Sequence, residues 1–140
     1  MKQTVTPMLA YEDLETALPW LHEAFGFREK RRIRMPDGSI GHAEMETEDG
    51  GLIMFAEPTP AYRSPGRHGR TCGEAAAWLA VPYVIDGVHV HVSDIEAHYA
   101  RARKAGATIL GELEESPHGI LYRAADLEGH RWMFQALPEN

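Results

Sequence analysis

Two histidines in one apolar stretch are the residues whose type and spacing best suit chemistry. His89 and His91 alternate with valines, and side chains two residues apart in a strand point to the same face. With Glu44 or His42 from a neighbouring strand they could bind a divalent metal ion, or one imidazole could act as a general base. The alternative is a pair of hydrogen-bonded or ligand-contacting histidines in a half-buried sheet. No third and fourth metal ligand has support in the sequence, which favours this alternative.

The two histidines lie in a strand–helix segment that occurs twice in the chain. Val88 to Gly106 contains a short apolar strand, Asp94, a helical stretch and a closing glycine, and Pro7 to Gly26 has the same order around Asp13. The interval between the two aspartates and the interval between the two glycines differ by one residue. A repeat of this length indicates a duplicated module.

Turn residues and alternating apolar positions predict the other elements. Asp13 and Asp94 are expected N-caps, and Gly26 and Gly106 should end the two helices. Pro19 lies inside the first helix, where it should cause a kink or a late helix start. The expected strands are Val5 to Tyr11, Phe27 to Met35, Ile40 to Thr47, Leu52 to Glu57, Val84 to Val92, Ala107 to Leu113, Ile120 to Ala125 and His130 to Leu137. The pattern is βαβββ, twice.

A long linker separates the two modules of this single domain. The first module covers about residues 4–57, the second about 83–137, and the linker 58–82 is rich in proline, glycine and arginine. Segments of this length between elements are usually lids, binding loops or plain linkers. Trp78 is the large aromatic residue of this segment, and it could close over a pocket or stay exposed.

Composition sets the class of protein. The chain has 140 residues, 44% of them hydrophobic and 25% charged, which fits one soluble domain with its own core. A formal net charge of −7 disfavours nucleic acid and an anionic membrane as partners. The sequence has neither the apolar core of a signal peptide nor an apolar run near the roughly 20 residues of a membrane span. Cys72 is the only cysteine, so no internal disulfide can form, and we expect a cytoplasmic protein.

Several stretches, taken with the repeat, resemble one family. They are Asp-Leu-Glu at the start of the first helix, Ala-Phe-Gly-Phe at its end, Pro-Asp-Gly-Ser-Ile-Gly-His-Ala-Glu, and Asp-Leu-Glu-Gly-His-Arg-Trp-Met-Phe near the C-terminus. They are similar to the vicinal oxygen chelate superfamily, which includes glyoxalase I, bleomycin-resistance proteins and extradiol dioxygenases. The resemblance implies an α+β fold in which two tandem βαβββ modules form a cup-shaped, incompletely closed eight-stranded sheet. It also implies a small organic ligand in the cup and a homodimer whose cavities draw on both chains.

The resemblance further implies where a metal ion would be held. Metal-dependent members use four side chains, one each on the first and last strand of each module. The matching positions here are Thr6, Met54, Gly87 and Met133. A thioether is soft, glycine has no side chain and a lone threonine is a poor ligand, so this set does not suit a hard divalent ion. We therefore expect no cofactor, with a divalent metal ion as the less favoured alternative.

Strand alternation adds further side chains to the face that carries those four positions. Arg131 on this face could bind a carboxylate or phosphate of a ligand, or form an ion pair with Glu44 or Glu57. The methionines suit an adaptable apolar site, and filling the core is an equally good interpretation. The candidate ligand-binding residues are Met8, Met54, His89, His91, Arg131, Met133 and, from the linker, Trp78.

The sequence therefore predicts a small-molecule-binding protein of the glyoxalase and bleomycin-resistance type that lacks the usual metal ligands. The alternative is an enzyme of the isomerase, lyase or dioxygenase type. Such an enzyme would use His89, His91 and Glu44 at an unusual metal site, or a histidine base. Whether the protein catalyses a reaction stays open at this point.

Overall fold

A computed structural model describes residues 3–81 and 86–137 of the chain. Its elements are β1 (Met8–Ala10), α1 (Leu14–Phe25), β2 (Arg28–Arg34), β3 (Ile40–Glu46), β4 (Leu52–Ala56), α2 (Pro65–Thr71), α3 (Gly73–Leu79), β5 (Gly87–Val92), α4 (Ile95–Lys104), β6 (Thr108–Ser116), β7 (Gly119–Ala125) and β8 (Arg131–Ala136). Across the described ranges, no helix is both long and apolar enough to cross a membrane.

The strands form two four-stranded sheets with the same topology. The first sheet has the order β1-β4-β3-β2 and the second β5-β8-β7-β6. In each, the first strand of a module pairs in parallel with its last strand, and the other pairs are antiparallel. The predicted α+β class and βαβββ repeat are confirmed, and the sheets together form an open cup that does not close.

Local capping chemistry sets the ends of the first helix. The Asp13 side chain accepts the Thr16 backbone N–H, and Gly26 ends α1 in the left-handed conformation at φ 76°. The predicted late start at Pro19 is wrong, since α1 begins at Leu14 and runs through the proline. Pro19 itself is exposed, while the opposite side of the helix buries a stripe of six apolar residues that holds it against the sheets.

Strand β1 is shorter than predicted because a side chain takes over part of its pairing. The strand was expected from Val5, yet only Met8–Ala10 pairs with β4. Upstream, the Gln3 amide accepts from the Leu52 N–H at 2.8 Å and donates to the Leu52 carbonyl at 3.0 Å. Val5 is left 81% exposed. The predicted start of β5 at Val84 lies outside the described residues.

The linker contains two short helices that the sequence interpretation missed. Ser64 caps α2 by accepting from the Arg67 N–H, and Pro65 occupies the first turn, where proline suits a helix. Helix α3 follows directly after Cys72. The linker is therefore folded rather than an irregular loop.

The hydrophobic core lies between the two module helices and one face of both sheets. Phe25 at the end of α1 contacts Phe27, Trp132 and Phe134, so residues of both modules meet in one aromatic cluster. Trp132 and Phe134 are at most 1% exposed. Because side chains alternate along a strand, the other face of each sheet is free to carry a site.

Candidate functional site

Strand register places the candidate residues on the open face of the sheets, away from the core. Met8 lies opposite Met54 in the first sheet, and His89 lies opposite Met133 in the second. Their strand neighbours Phe55 and Phe134 are buried in the core. The open face therefore has a methionine on three of these four strand positions.

The first sheet presents a shallow apolar concavity with a polar rim. A space of about 220 Å³ is lined by Met8, Met54, His42 and neighbouring backbone. Met8 is 78% exposed, which is unusual for a side chain of this size and polarity. Glu44 accepts a hydrogen bond from His42 Nε2 at 2.7 Å, so these two side chains are paired with each other.

In the second sheet, hydrogen bonds fix the orientation of His89. The Gln135 amide nitrogen donates to the His118 carbonyl, which leaves Gln135 Oε1 facing His89 Nε2 at 2.7 Å. An amide oxygen only accepts, so in the neutral ring His89 Nε2 carries the proton and Nδ1 has the free lone pair. His91 packs edge to face on His89 at 4.7 Å between ring centroids. His91 also lines a concavity of about 220 Å³ at the seam between the sheets.

Arg131 does something different from either role that the sequence suggested. It is only 6% exposed, and its Nη1 and Nη2 donate to the Val81 and Leu79 carbonyls at 2.5 Å each. The predicted ion pair is wrong, because Glu44 bonds His42 and Glu57 accepts the N–H groups of the helix start and β3. Burial lowers the pKa of Arg131. The guanidinium thus holds the end of α3 on the second sheet.

A separate cavity of about 560 Å³ lies within the linker. Trp78 lines it together with Tyr62, His68 and Leu79, and Asp86 completes it from the start of β5. From the sequence, Trp78 could either close over a pocket or stay exposed. In the structure it lines this cavity, and none of the lining residues belongs to the open face that carries the methionines. Among these lining residues, Trp78 is one of the ligand-binding candidates predicted from the sequence.

The comparisons with known proteins now decide the family. A family model described as the Glyoxalase/Bleomycin resistance protein/Dioxygenase superfamily matches residues 3–134. The chain belongs to this superfamily. The predicted resemblance is confirmed, and the open cup is the fold of the superfamily.

Individual relatives of the superfamily span nearly the whole chain. The crystal structure of TioX from Micromonospora sp. ML1 is 32% identical, covers 96% of this chain and 98% of its own, and superposes with a TM-score of 0.67. TnmS3, an antibiotic binding protein from Streptomyces sp. CB03234, has 15% identity, covers 99% of both chains and has a TM-score of 0.65, which shows the fold alone. The uncharacterized protein Mb0911c of Mycobacterium bovis is 28% identical over 94% of this chain and 82% of its own length.

The four positions that the resemblance assigned to metal ligands are Thr6, Met54, Gly87 and Met133. Met54 and Met133 offer thioethers, Gly87 offers no side chain, and the Thr6 hydroxyl accepts from Gln3 Nε2 at 3.3 Å. Among residues 3–81 and 86–137, no three His, Cys, Asp or Glu side chains converge in a way that could hold a metal ion. His89, His91 and Glu44 are therefore not assembled into a joint site, and a histidine base stays a prediction.

Proposed function

We propose that this protein binds a drug-sized, largely apolar organic molecule on the open face of its sheets without using a metal ion. The observation that carries the proposal is the methionine set of that face: Met8, Met54 and Met133. Met54 and Met133 are also two of the positions that the resemblance assigned to metal ligands. Thioether side chains are flexible and polarisable, so they adapt to irregular apolar surfaces.

Polar groups around the methionines can orient a ligand. His89 Nδ1 offers an acceptor, and the His42–Glu44 pair forms a polar rim beside Met54. A mainly apolar surface with a few fixed polar groups is the usual make-up of a small-molecule site. The name of TnmS3 describes an antibiotic binding protein, and FosX of Listeria monocytogenes is described as a fosfomycin resistance protein, so the same fold serves this kind of role elsewhere.

The size of the concavities supports a homodimer. The space lined by Met8 and Met54 and the space at the seam between the sheets each measure about 220 Å³, whereas sites for drug-sized molecules are about 300–1,000 Å³. A second chain laid over the open face would deepen the site and cover Met8, which is 78% exposed. We propose such a dimer in the cytoplasm, where the single Cys72 would stay reduced.

A binding screen with matched variants tests the proposal. Thermal shifts of the full chain are measured against a panel of drug-sized antibiotics, and hits are titrated by calorimetry. Met54→Glu should weaken a hit at least tenfold, about 1.4 kcal/mol, because a carboxylate would then face the apolar ligand. Leu127→Glu, an equally drastic change at an exposed turn residue off this face, should leave affinity unchanged.

Metal analysis of the same samples completes the test. Protein purified without chelator should contain far less than one divalent ion per chain. A stoichiometric metal ion, or a hit whose affinity is the same in Met54→Glu and in the wild type, would overturn the proposal. An affinity that depends on added metal would point instead to an enzyme of the superfamily.

A further inference from the structure

We propose that the linker cavity is a second binding site, separate from the methionine face, for a flat aromatic molecule that carries a strong hydrogen-bond acceptor. The cavity measures about 560 Å³, within the range of sites for drug-sized ligands. Its walls come from α2, α3, the segment before α2 and Asp86. The proposal of this second site therefore does not depend on the function proposed above.

One face of α3 supplies the apolar wall. Ala75, Trp78 and Leu79 are spaced three and four positions apart, so they share one side of the helix. Trp78 is nevertheless 54% exposed, although the cavity is built around it. An indole left open at the edge of a concavity offers a stacking surface for an aromatic ring. Tyr62 contributes a second aromatic ring to the lining.

Hydrogen-bond donors of Arg63 and Tyr62 also line the cavity, together with the Asp86 carboxylate. Arg63 Nη1 donates to the Ala61 and Tyr62 carbonyls, and no acidic side chain among the described residues pairs with this guanidinium. Its neighbour Arg67, by contrast, is paired with Glu12 at 3.2 Å. Burial and nearby carboxylates raise the pKa of Tyr62 to about 12, so its hydroxyl stays protonated and can donate. These donors suit a sulfonate, carboxylate or carbonyl oxygen on the ligand.

The cavity is held in shape by a contact from the second sheet. The buried Arg131 guanidinium donates to the Leu79 and Val81 carbonyls at the end of α3. On the other side, the Gly66 N–H donates to the Glu128 carbonyl at 2.9 Å and anchors the start of α2. Both linker helices are thus fixed to the second module. A preformed cavity loses less free energy in ordering when it binds a ligand.

A pair of matched dyes tests the site on the full chain. 8-Anilinonaphthalene-1-sulfonate has the aromatic rings and an acceptor group, and N-phenyl-1-naphthylamine has the same rings without the sulfonate. We expect one sulfonate dye to bind per chain, at least about fivefold more tightly than the neutral dye. Trp78→Ala should weaken both dyes about tenfold. Arg63→Gln should weaken only the sulfonate dye and remove its advantage.

Controls separate this site from other apolar surfaces. Arg70→Gln changes an exposed arginine of α2 that does not line the cavity, and Met54→Glu changes the methionine face; both should keep wild-type affinity for the sulfonate dye. Energy transfer from tryptophan to the dye should fall in Trp78→Phe and persist in Trp20→Phe. Unchanged affinities in Arg63→Gln and Trp78→Ala, or loss of binding in Met54→Glu alone, would overturn the proposal.

Discussion

His98 is a residue whose hydrogen bonds define its protonation state. Its Nε2 lies 2.9 Å from the Phe25 carbonyl, and its Nδ1 lies 2.6 Å from the Tyr122 hydroxyl. A carbonyl only accepts, so Nε2 carries the proton and Nδ1 accepts from the tyrosine. Burial lowers the pKa of His98; the Phe25 carbonyl opposes this shift, Arg101 adds to it and Glu48 opposes it. The neutral ring thereby joins α4 to the end of α1 and to β7.

This arrangement predicts a loss of stability in mild acid. Because the folded-state pKa lies below the unfolded value of about 6.5, the contribution of His98 is complete above pH 6.5 and declines as the pH falls below it. Urea unfolding at pH 7.5, 6.5 and 5.5 should show a falling free energy of unfolding, by at most about 1.4 kcal/mol per pH unit from this residue.

His98→Gln is the matched variant, because its amide can donate to the Phe25 carbonyl and accept from Tyr122. It should fold and lose part of the pH dependence between 7.5 and 5.5. His118→Gln, at an exposed turn, should retain the full wild-type dependence. Identical pH profiles for His98→Gln and wild type would show that another group is responsible.

At the scale of elements, Arg131 holds the end of α3 on the second sheet. Arg131 on β8 places a positive charge at the C-terminal carbonyls of this helix, where cations are favoured. Its Nε is buried and has no hydrogen-bond partner among residues 3–81 and 86–137, which costs free energy that the two short bonds must offset. We infer that Arg131 positions the linker rather than stabilising the fold as a whole.

Replacing Arg131 by methionine separates its effect on the position of the linker from its effect on the stability of the fold. Arg131→Met keeps an apolar stem on the sheet but removes the bonds to α3, so amide exchange across residues 73–81 should accelerate at least about tenfold. Global stability should change by less than about 2 kcal/mol, because a buried charge is removed along with its bonds. Hydrogen exchange with mass spectrometry measures the first effect and urea unfolding the second.

Arg123→Met provides the control for this change. Arg123 lies on the same face one strand away and forms a 3.7 Å ion pair with Glu114. Exchange across the linker should be unaffected in this variant. Equal protection of residues 73–81 in Arg131→Met and Arg123→Met would remove Arg131 from its proposed role.

The sequence predicted those elements whose ends depend on local chemistry. Asp13 and Gly26 bound α1 as expected, since capping and a left-handed turn involve only neighbouring residues. Strand β1 was overextended because its pairing is partly replaced by the Gln3 side chain. The Ser64-Pro65 pair was a readable start signal for α2, but the glycines and arginines that follow obscured it.

The site was less predictable than the fold, for a physical reason. Strand alternation correctly placed Met8, Met54, His89 and Met133 on the open face of the sheets, away from the core. The contact that buries Arg131 joins residues about 50 positions apart, so no local pattern reveals it. Likewise, the engagement of His89 by Gln135 follows only from the pairing of β5 with β8.

For the whole molecule, the duplicated module produces a buried core on one face of the sheets and exposed apolar side chains on the other. The helices and one face of each sheet merge into a single aromatic core. The opposite face of the first sheet leaves apolar side chains in solvent, with Ile33 43% and Met8 78% exposed. Ile33 pairs with His42, so it lies on the same face as the methionines. An exposed apolar surface of this kind suits association with another molecule.

If a second copy of the chain covers this face, the mass in solution should be twice the chain mass of 15.7 kDa. Light scattering after size exclusion should then give about 31 kDa at micromolar concentration. Ile33→Glu places a charge within the proposed interface and should shift the protein toward the 15.7 kDa monomer, because an unpaired charge would be desolvated there. Leu127→Glu at an exposed turn should remain dimeric. A wild-type monomer throughout this concentration range would contradict the dimer, and the ligand would then have to be held by one chain alone.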